Sequence, residues 1–133
     1  MGTLPIYVQL IVNGPSKEVC TTNTLASREG NKLGNRRLVR FQVTPGAHTI
    51  NVSYSGVGFT PANPAFILHR RGQVIVRVPD PLSMDYKVDG DKVTERRDLN
   101  FTDEYLLEIF SRTNVDGKIF TGGDVCFNVS VTR

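Results

Sequence analysis

Apolar and polar residues alternate strictly along much of this chain, and a two-residue period marks half-buried β-strands. Leu4, Ile6, Val8, Leu10 and Val12 share one face of a first segment, which Asn13-Gly14-Pro15 closes as a turn. Lys17 to Thr22 follows as a short second strand. Val39, Phe41 and Val43 point inward from the next strand, and Thr44-Pro45-Gly46-Ala47 links it in hairpin fashion to another. There His48, Ile50, Val52 and Tyr54 face one way, while Thr49, Asn51, Ser53 and Ser55 face the other. Phe66 to Leu68 and Gln73 to Val78 read as strands around Arg70-Arg71-Gly72, and Pro79-Asp80-Pro81 breaks the pattern. Tyr86-Lys87-Val88 and Lys92-Val93-Thr94 flank Asp89-Gly90 as a short hairpin, followed by the polar stretch Glu95 to Asp98.

Residues 103 to 112 fit two descriptions. Thr102, Asp103 and Glu104 suit a helix cap, whereas Tyr105, Leu107 and Ile109 suit the inward face of a strand. The strand is favoured, because the Asn114-Val115-Asp116-Gly117 turn leads straight into Lys118 to Phe120 and then into Val125, Phe127, Val129 and Val131. Thr121-Gly122-Gly123 reads as a bulge. The pattern predicts an all-β fold, a two-sheet antiparallel β-sandwich of about eight or nine strands, in which no segment reads as a helix in preference to a strand. One domain spanning residues 1–133 is expected.

Composition agrees. The chain has 16 Val, 7 Ile and 12 Thr against 4 Ala, and branched side chains favour a pleated surface over a helix. Residues 23 to 37 read as a long loop rich in Asn, Ser and Gly, of a length that is often functional. No apolar run approaches the 18 residues of a membrane-spanning helix, so no membrane span is expected. The N-terminal residues lack the basic and apolar regions of a secretory signal.

The layout of residues 4 to 78 resembles PEGA-type and transthyretin-like small sandwiches. The likeness rests on a strand ending Val12-Asn13-Gly14, a strand entering Thr44-Pro45-Gly46-Ala47-His48-Thr49-Ile50, and a later strand after Arg71-Gly72-Gln73-Val74. Gly46 to Gly56 is also similar to the penultimate strand of a filamin-type immunoglobulin repeat, although 77 residues follow where such a repeat would nearly end. Asp103-Glu104-Tyr105 and the run to Val131 resemble the last strands of immunoglobulin-like domains, with Tyr105 in the place of a tyrosine corner. The absence of Trp departs from that pattern. These resemblances imply an immunoglobulin-like sandwich used for adaptor, adhesion or assembly roles. They assign no functional residue.

Charge is unevenly spread. Residues 1–79 hold 9 basic and 2 acidic groups, a balance of +7, while residues 80–133 hold 7 basic and 11 acidic, a balance of −4. Such asymmetry suits pairing of two faces, within the molecule or between copies. Arg28, Lys32, Arg36, Arg37 and Arg40 form a basic run, the candidate binding residues. They suit an acidic protein surface, or phosphates in a nucleic acid. Stacking aromatics are missing from residues 23 to 40, which ranks nucleic acid second.

His48 reads as a core histidine and His69 as a loop residue beside Arg70 and Arg71. No local nucleophile, phosphate-loop or metal-ligand motif occurs, so no enzyme activity, cofactor or metal is expected. Loop aspartates Asp80, Asp85, Asp89, Asp91 and Asp116 lack calcium-ligand spacing. Cys20 and Cys126 either pair across the sandwich or stay as two thiols; pairing would favour an extracytoplasmic or secreted location. Three Asn-x-Ser/Thr sequons occur, at Asn51, Asn100 and Asn128. The sequence is thus read as a non-enzymatic protein-interaction, adhesion or assembly module, with a protein partner or self-association. The alternative is a small structural, virion-type or nucleic-acid-associated subunit using residues 28–40.

Overall fold

Short apolar repeats in this chain can bury only one face of a strand, so two sheets must close on each other. The computed structural model describes residues 7–22, 36–58, 64–79, 86–89, 91–111 and 124–133. In chain order the strands are β1 (Tyr7–Leu10), β2 (Lys17–Thr22), β3 (Arg36–Val43), β4 (Gly46–Gly58) and β5 (Pro64–Arg70). They continue with β6 (Gln73–Val78), β7 (Tyr86–Asp89), β8 (Lys92–Leu99), β9 (Asp103–Ser111) and β10 (Asp124–Thr132). Sheet A has the order β1-β3-β9-β5-β6 and sheet B the order β2-β10-β4-β8-β7. All pairs are antiparallel except β1 with β3, which run parallel.

The dry layer between the sheets follows the alternation. Sheet A contributes Val39, Phe41 and Val43, then Tyr105, Leu107 and Ile109, then Phe66 and Leu68. Sheet B contributes Ile50 and Val52 from β4, and Val125, Phe127, Val129 and Val131 from β10. Tyr105 lies in this core, its ring stacked on Phe41 at 6.1 Å. Filling such positions is worth roughly 1.5–3 kcal/mol per large side chain.

Three local readings change. β3 begins at Arg36, inside the stretch expected as loop, because Arg36 and Arg37 continue the ladder opposite Phe110 and Ile109 of β9. β8 runs through Glu95 to Asp98, where polarity masked the alternation. Glu95 is fully buried, 3.2 Å from the Arg97 guanidinium, and replaces an apolar residue at an inward position. His69 belongs to strand β5, not to a loop. Leu4 and Ile6, residues 23–35 and residues 112–123 lie outside the described residues.

Cys20 and Cys126 form a disulfide, with their sulfurs 2.05 Å apart. The bridge lies within sheet B, between paired residues of β2 and β10, and does not cross the sandwich. Both cysteines share the parity of Glu18 and Asn128, away from Val19 and Phe127.

Candidate functional site

The two outer faces of the sandwich differ in chemistry. On sheet B the register aligns Glu18, Asn128, Ser53 and Lys92 in one row. Ser130, Asn51 and Thr94 form the next, and the Thr94 hydroxyl donates to Asn51 Oδ1 at 2.8 Å. These hydroxyl, amide and charged side chains are ordinary solvated strand positions.

Sheet A presents something else. One row crosses all five strands as Gln9, Arg40, Leu106, His69 and Val74. The neighbouring row runs Tyr7, Leu38, Glu108, Ile67 and Arg77. Tyr7 and Val74, at opposite edges, are 41% and 40% exposed, and half-buried Leu38, Ile67 and Leu106 lie between them. A face that mixes Tyr, Arg and aliphatic side chains, with no Lys among these rows, has the composition of interface cores.

Acidic β9 sits between basic β3 and β5, and it organises the charges. Glu108 engages both flanks: it forms an ion pair with Arg36, whose Nη1 lies 2.8 Å from Oε2, and a hydrogen bond with His69, whose Nε2 lies 3.0 Å from Oε1. The Arg36 guanidinium also covers the Phe110 ring at 4.4 Å. Arg40 donates from Nε to Gln9 Oε1 at 3.0 Å and lies over the Tyr7 ring at 5.3 Å. Its approach to Glu104, 4.0 Å, is too long for a hydrogen bond. The asymmetry between the basic and acidic parts of the sequence is therefore met inside sheet A. Arg77 has no acidic partner among the described residues.

At one end of β9, Asp103 receives two guanidiniums, Arg71 Nε at 2.7 Å and Arg70 Nε at 3.1 Å. The Glu104 N–H also donates to its other oxygen at 2.8 Å. This backbone bond, with the bond and charge of Arg71 and the charge of Arg70, holds the Asp103 carboxyl below its ordinary value; desolvation opposes the shift. Arg71 has a positive φ of 52° and Gly72 one of 77°, as a two-residue turn between β5 and β6 demands. The Asp103 bond helps hold Arg71 in that disfavoured region. Between this turn and β1 lies an open cleft of about 420 Å³, lined in part by Tyr7, Arg40, His69, Arg71, Glu104 and Leu106.

The basic run divides. Arg36 and Arg40 lie on the outer face of sheet A, whereas Arg37 takes the opposite parity with Val39. Arg28 and Lys32 lie outside the described residues. The two histidines belong to different sheets. His48 is buried on the inner side of sheet B, with Nδ1 2.8 Å from the Gly46 carbonyl, and His69 faces out from sheet A. They lie on opposite sides of sheet A and share no cleft. The Glu18 carboxylate and the two cysteine sulfurs come within 4.8 Å of one another, but bonded sulfurs are not free thiolate ligands. No described helix is long and apolar enough to cross a membrane.

Tyr7, His69, Arg71 and Leu106 are site residues that sequence reasoning missed. The signal for Tyr7 was present: Tyr7 and Gln9 occupy the outward positions of β1, and an outward aromatic is the exception there. Leu106 and His69 needed the pairing of β5 with β9, which sequence alone does not give.

No protein-family model matches the chain, and no curated protein matches it. Among solved structures, it is similar to the pre-peptidase C-terminal domain of a collagenase from Bacillus anthracis, with a TM-score of 0.58 and 10% identity. That likeness covers 97% of this chain and 97% of the other, and it is one of fold. It is also similar to PliG, a periplasmic inhibitor of g-type lysozyme from Aeromonas hydrophila, with a TM-score of 0.42 and 15% identity. Here 96% of this chain and 99% of the other are covered.

Proposed function

We propose that this chain is a non-catalytic, extracytoplasmic interaction module that docks a protein partner on the outer face of sheet A. The observation that carries the reading is the contrast between the two faces. Sheet B shows Glu, Ser, Thr, Asn and Lys, while sheet A shows Tyr7, Leu38, Leu106 and Val74 interleaved with Arg40 and Arg77. A partner that fits presents apolar side chains to the row from Tyr7 to Val74 and carboxylates to Arg40 and Arg77. Arg40 is already steered by Gln9 and Tyr7, which lowers the entropy lost when a carboxylate binds.

The Cys20–Cys126 bridge supports placement outside the cytoplasm, since stable disulfides persist in oxidising compartments. The separation of His48 from His69 supports a non-catalytic role. The engagement of Arg36 with Glu108 and the opposite parity of Arg37 favour a protein partner over nucleic acid, whose phosphates would compete with Glu108.

The test is recovery of the chain with its bound protein from the native source. Wild type and Ser53→Glu retain the same partner, while Leu106→Glu, half-buried at the centre of the face, loses it by about tenfold or more. Equal recovery with Leu106→Glu and Ser53→Glu rejects the docking face. A complex of two identical chains, or strongly salt-dependent nucleic-acid binding, replaces the heterologous protein partner with those alternatives.

A further inference from the structure

The three sequons stand in unlike surroundings. Asn51 lies in β4 and Asn128 in β10, each paired on both sides within sheet B. Both side chains are half-buried, and the Asn51 amide oxygen already accepts from Thr94. Asn100-Phe101-Thr102 occupies the turn from β8 to β9, where the chain leaves sheet B and enters sheet A. All three of its residues are exposed, and it belongs to no strand. Phe101, 55% exposed, is held under the Arg70 guanidinium at 3.8 Å, so the middle residue of the sequon is pinned aside. No hydrogen bond among the described residues occupies the Asn100 amide.

We infer that Asn100 is an N-glycosylation site and that Asn51 and Asn128 are not. The acceptor tripeptide must be reachable in extended or turn backbone, and the attached sugar needs solvent around it. Only the Asn100 sequon meets both conditions. The donor is an oligosaccharide joined through pyrophosphate to a lipid. The Asn100 amide nitrogen attacks C1 of the first sugar; the C1–N bond forms as the C1–O bond to pyrophosphate breaks. The lipid pyrophosphate leaves with the bonding electrons, and the amide gives up one proton to the transferase. This transfer takes place in an oxidising compartment that also forms disulfides, so the inference rests on the proposed extracytoplasmic placement, which the Cys20–Cys126 bridge supports. A glycan at the turn sits at one end of the strands, off both outer faces.

The full chain, secreted from a eukaryotic cell behind an added leader, provides the test. A peptide amidase that releases N-glycans should increase electrophoretic mobility in one step and convert Asn100 to Asp, as read by peptide mass. Asn100→Gln and Thr102→Ala should each abolish the step, Thr102→Ser should retain it, and Asn51→Gln and Asn128→Gln should leave it unchanged. Unmodified Asn100 in the secreted, disulfide-bonded chain overturns the inference, as does carbohydrate on Asn51 or Asn128 in its place.

Discussion

Cys20 stands directly opposite Cys126 in the ladder between β2 and β10, with Cα atoms 4.0 Å apart, although 106 residues separate them in the chain. The bridge ties edge strand β2 to the last strand and closes a loop that contains most of the fold. Closing so long a loop removes about 5 kcal/mol of chain entropy from the unfolded state. The double variant Cys20→Ala/Cys126→Ala should therefore lose stability of that order in urea unfolding, and adding reductant to the wild type should reproduce the loss. An unchanged midpoint in both experiments would mean that the bridge carries no stability.

Glu95 and Arg97 form the second test of the core. Glu95 is fully buried beside Ile50, Val93 and Leu99, and Arg97 Nε, 3.2 Å from its Oε2, supplies one of the contacts that offset its charge. Arg97→Ala should cost about 1–3 kcal/mol, the range for removing a charge-assisted hydrogen bond from a buried group. Glu95→Leu/Arg97→Met should recover most of that loss, because both charges leave together. Equal destabilisation by the single and the double variant would show that the pair does more than satisfy its own charges.

Asp103 sets an acid limit on the turn between β5 and β6. Its carboxyl is held below the ordinary 3.8 by the Glu104 N–H and by Arg71 and Arg70. A lowered folded pKa means that the unfolded chain binds the proton first, so stability rises with pH across this interval. The contribution is complete above the ordinary value and disappears as pH falls through the folded one. Asp103→Asn should flatten the stability curve below about pH 4 and leave its slope near neutrality unchanged. An acid limb as steep as that of the wild type would assign the effect to other carboxylates.

Much of this fold was legible because β4 from His48 to Tyr54 and β10 from Phe127 to Val131 alternate regularly, so His48, Ile50 and Val52, and Phe127, Val129 and Val131, announce their faces. β8 was only partly legible, because its inward-parity positions include Glu95 and Arg97, and a buried carboxylate with its cation looks like surface in a hydropathy pattern. The parallel pairing of β1 with β3 leaves no local trace, since parallel partners are not joined by a short turn. The candidate site suffers most from this limit. Gln9, Arg40, Leu106, His69 and Val74 come from five separate strands, and only the register lines them up. The basic run was visible as composition, but which of its members share a face depended on strand parity, which sets Arg36 and Arg40 against Arg37.

The direct test of the docking face compares its two sides in one experiment. A photo-crosslinking amino acid is placed at Leu106 on sheet A or at Ser53 on sheet B, and the protein is irradiated in its native surroundings. The docking face predicts one discrete crosslinked protein from position 106, strongly reduced by Arg40→Glu, and none from position 53. Crosslinking of the same protein from both positions, or from position 53 only, would contradict it.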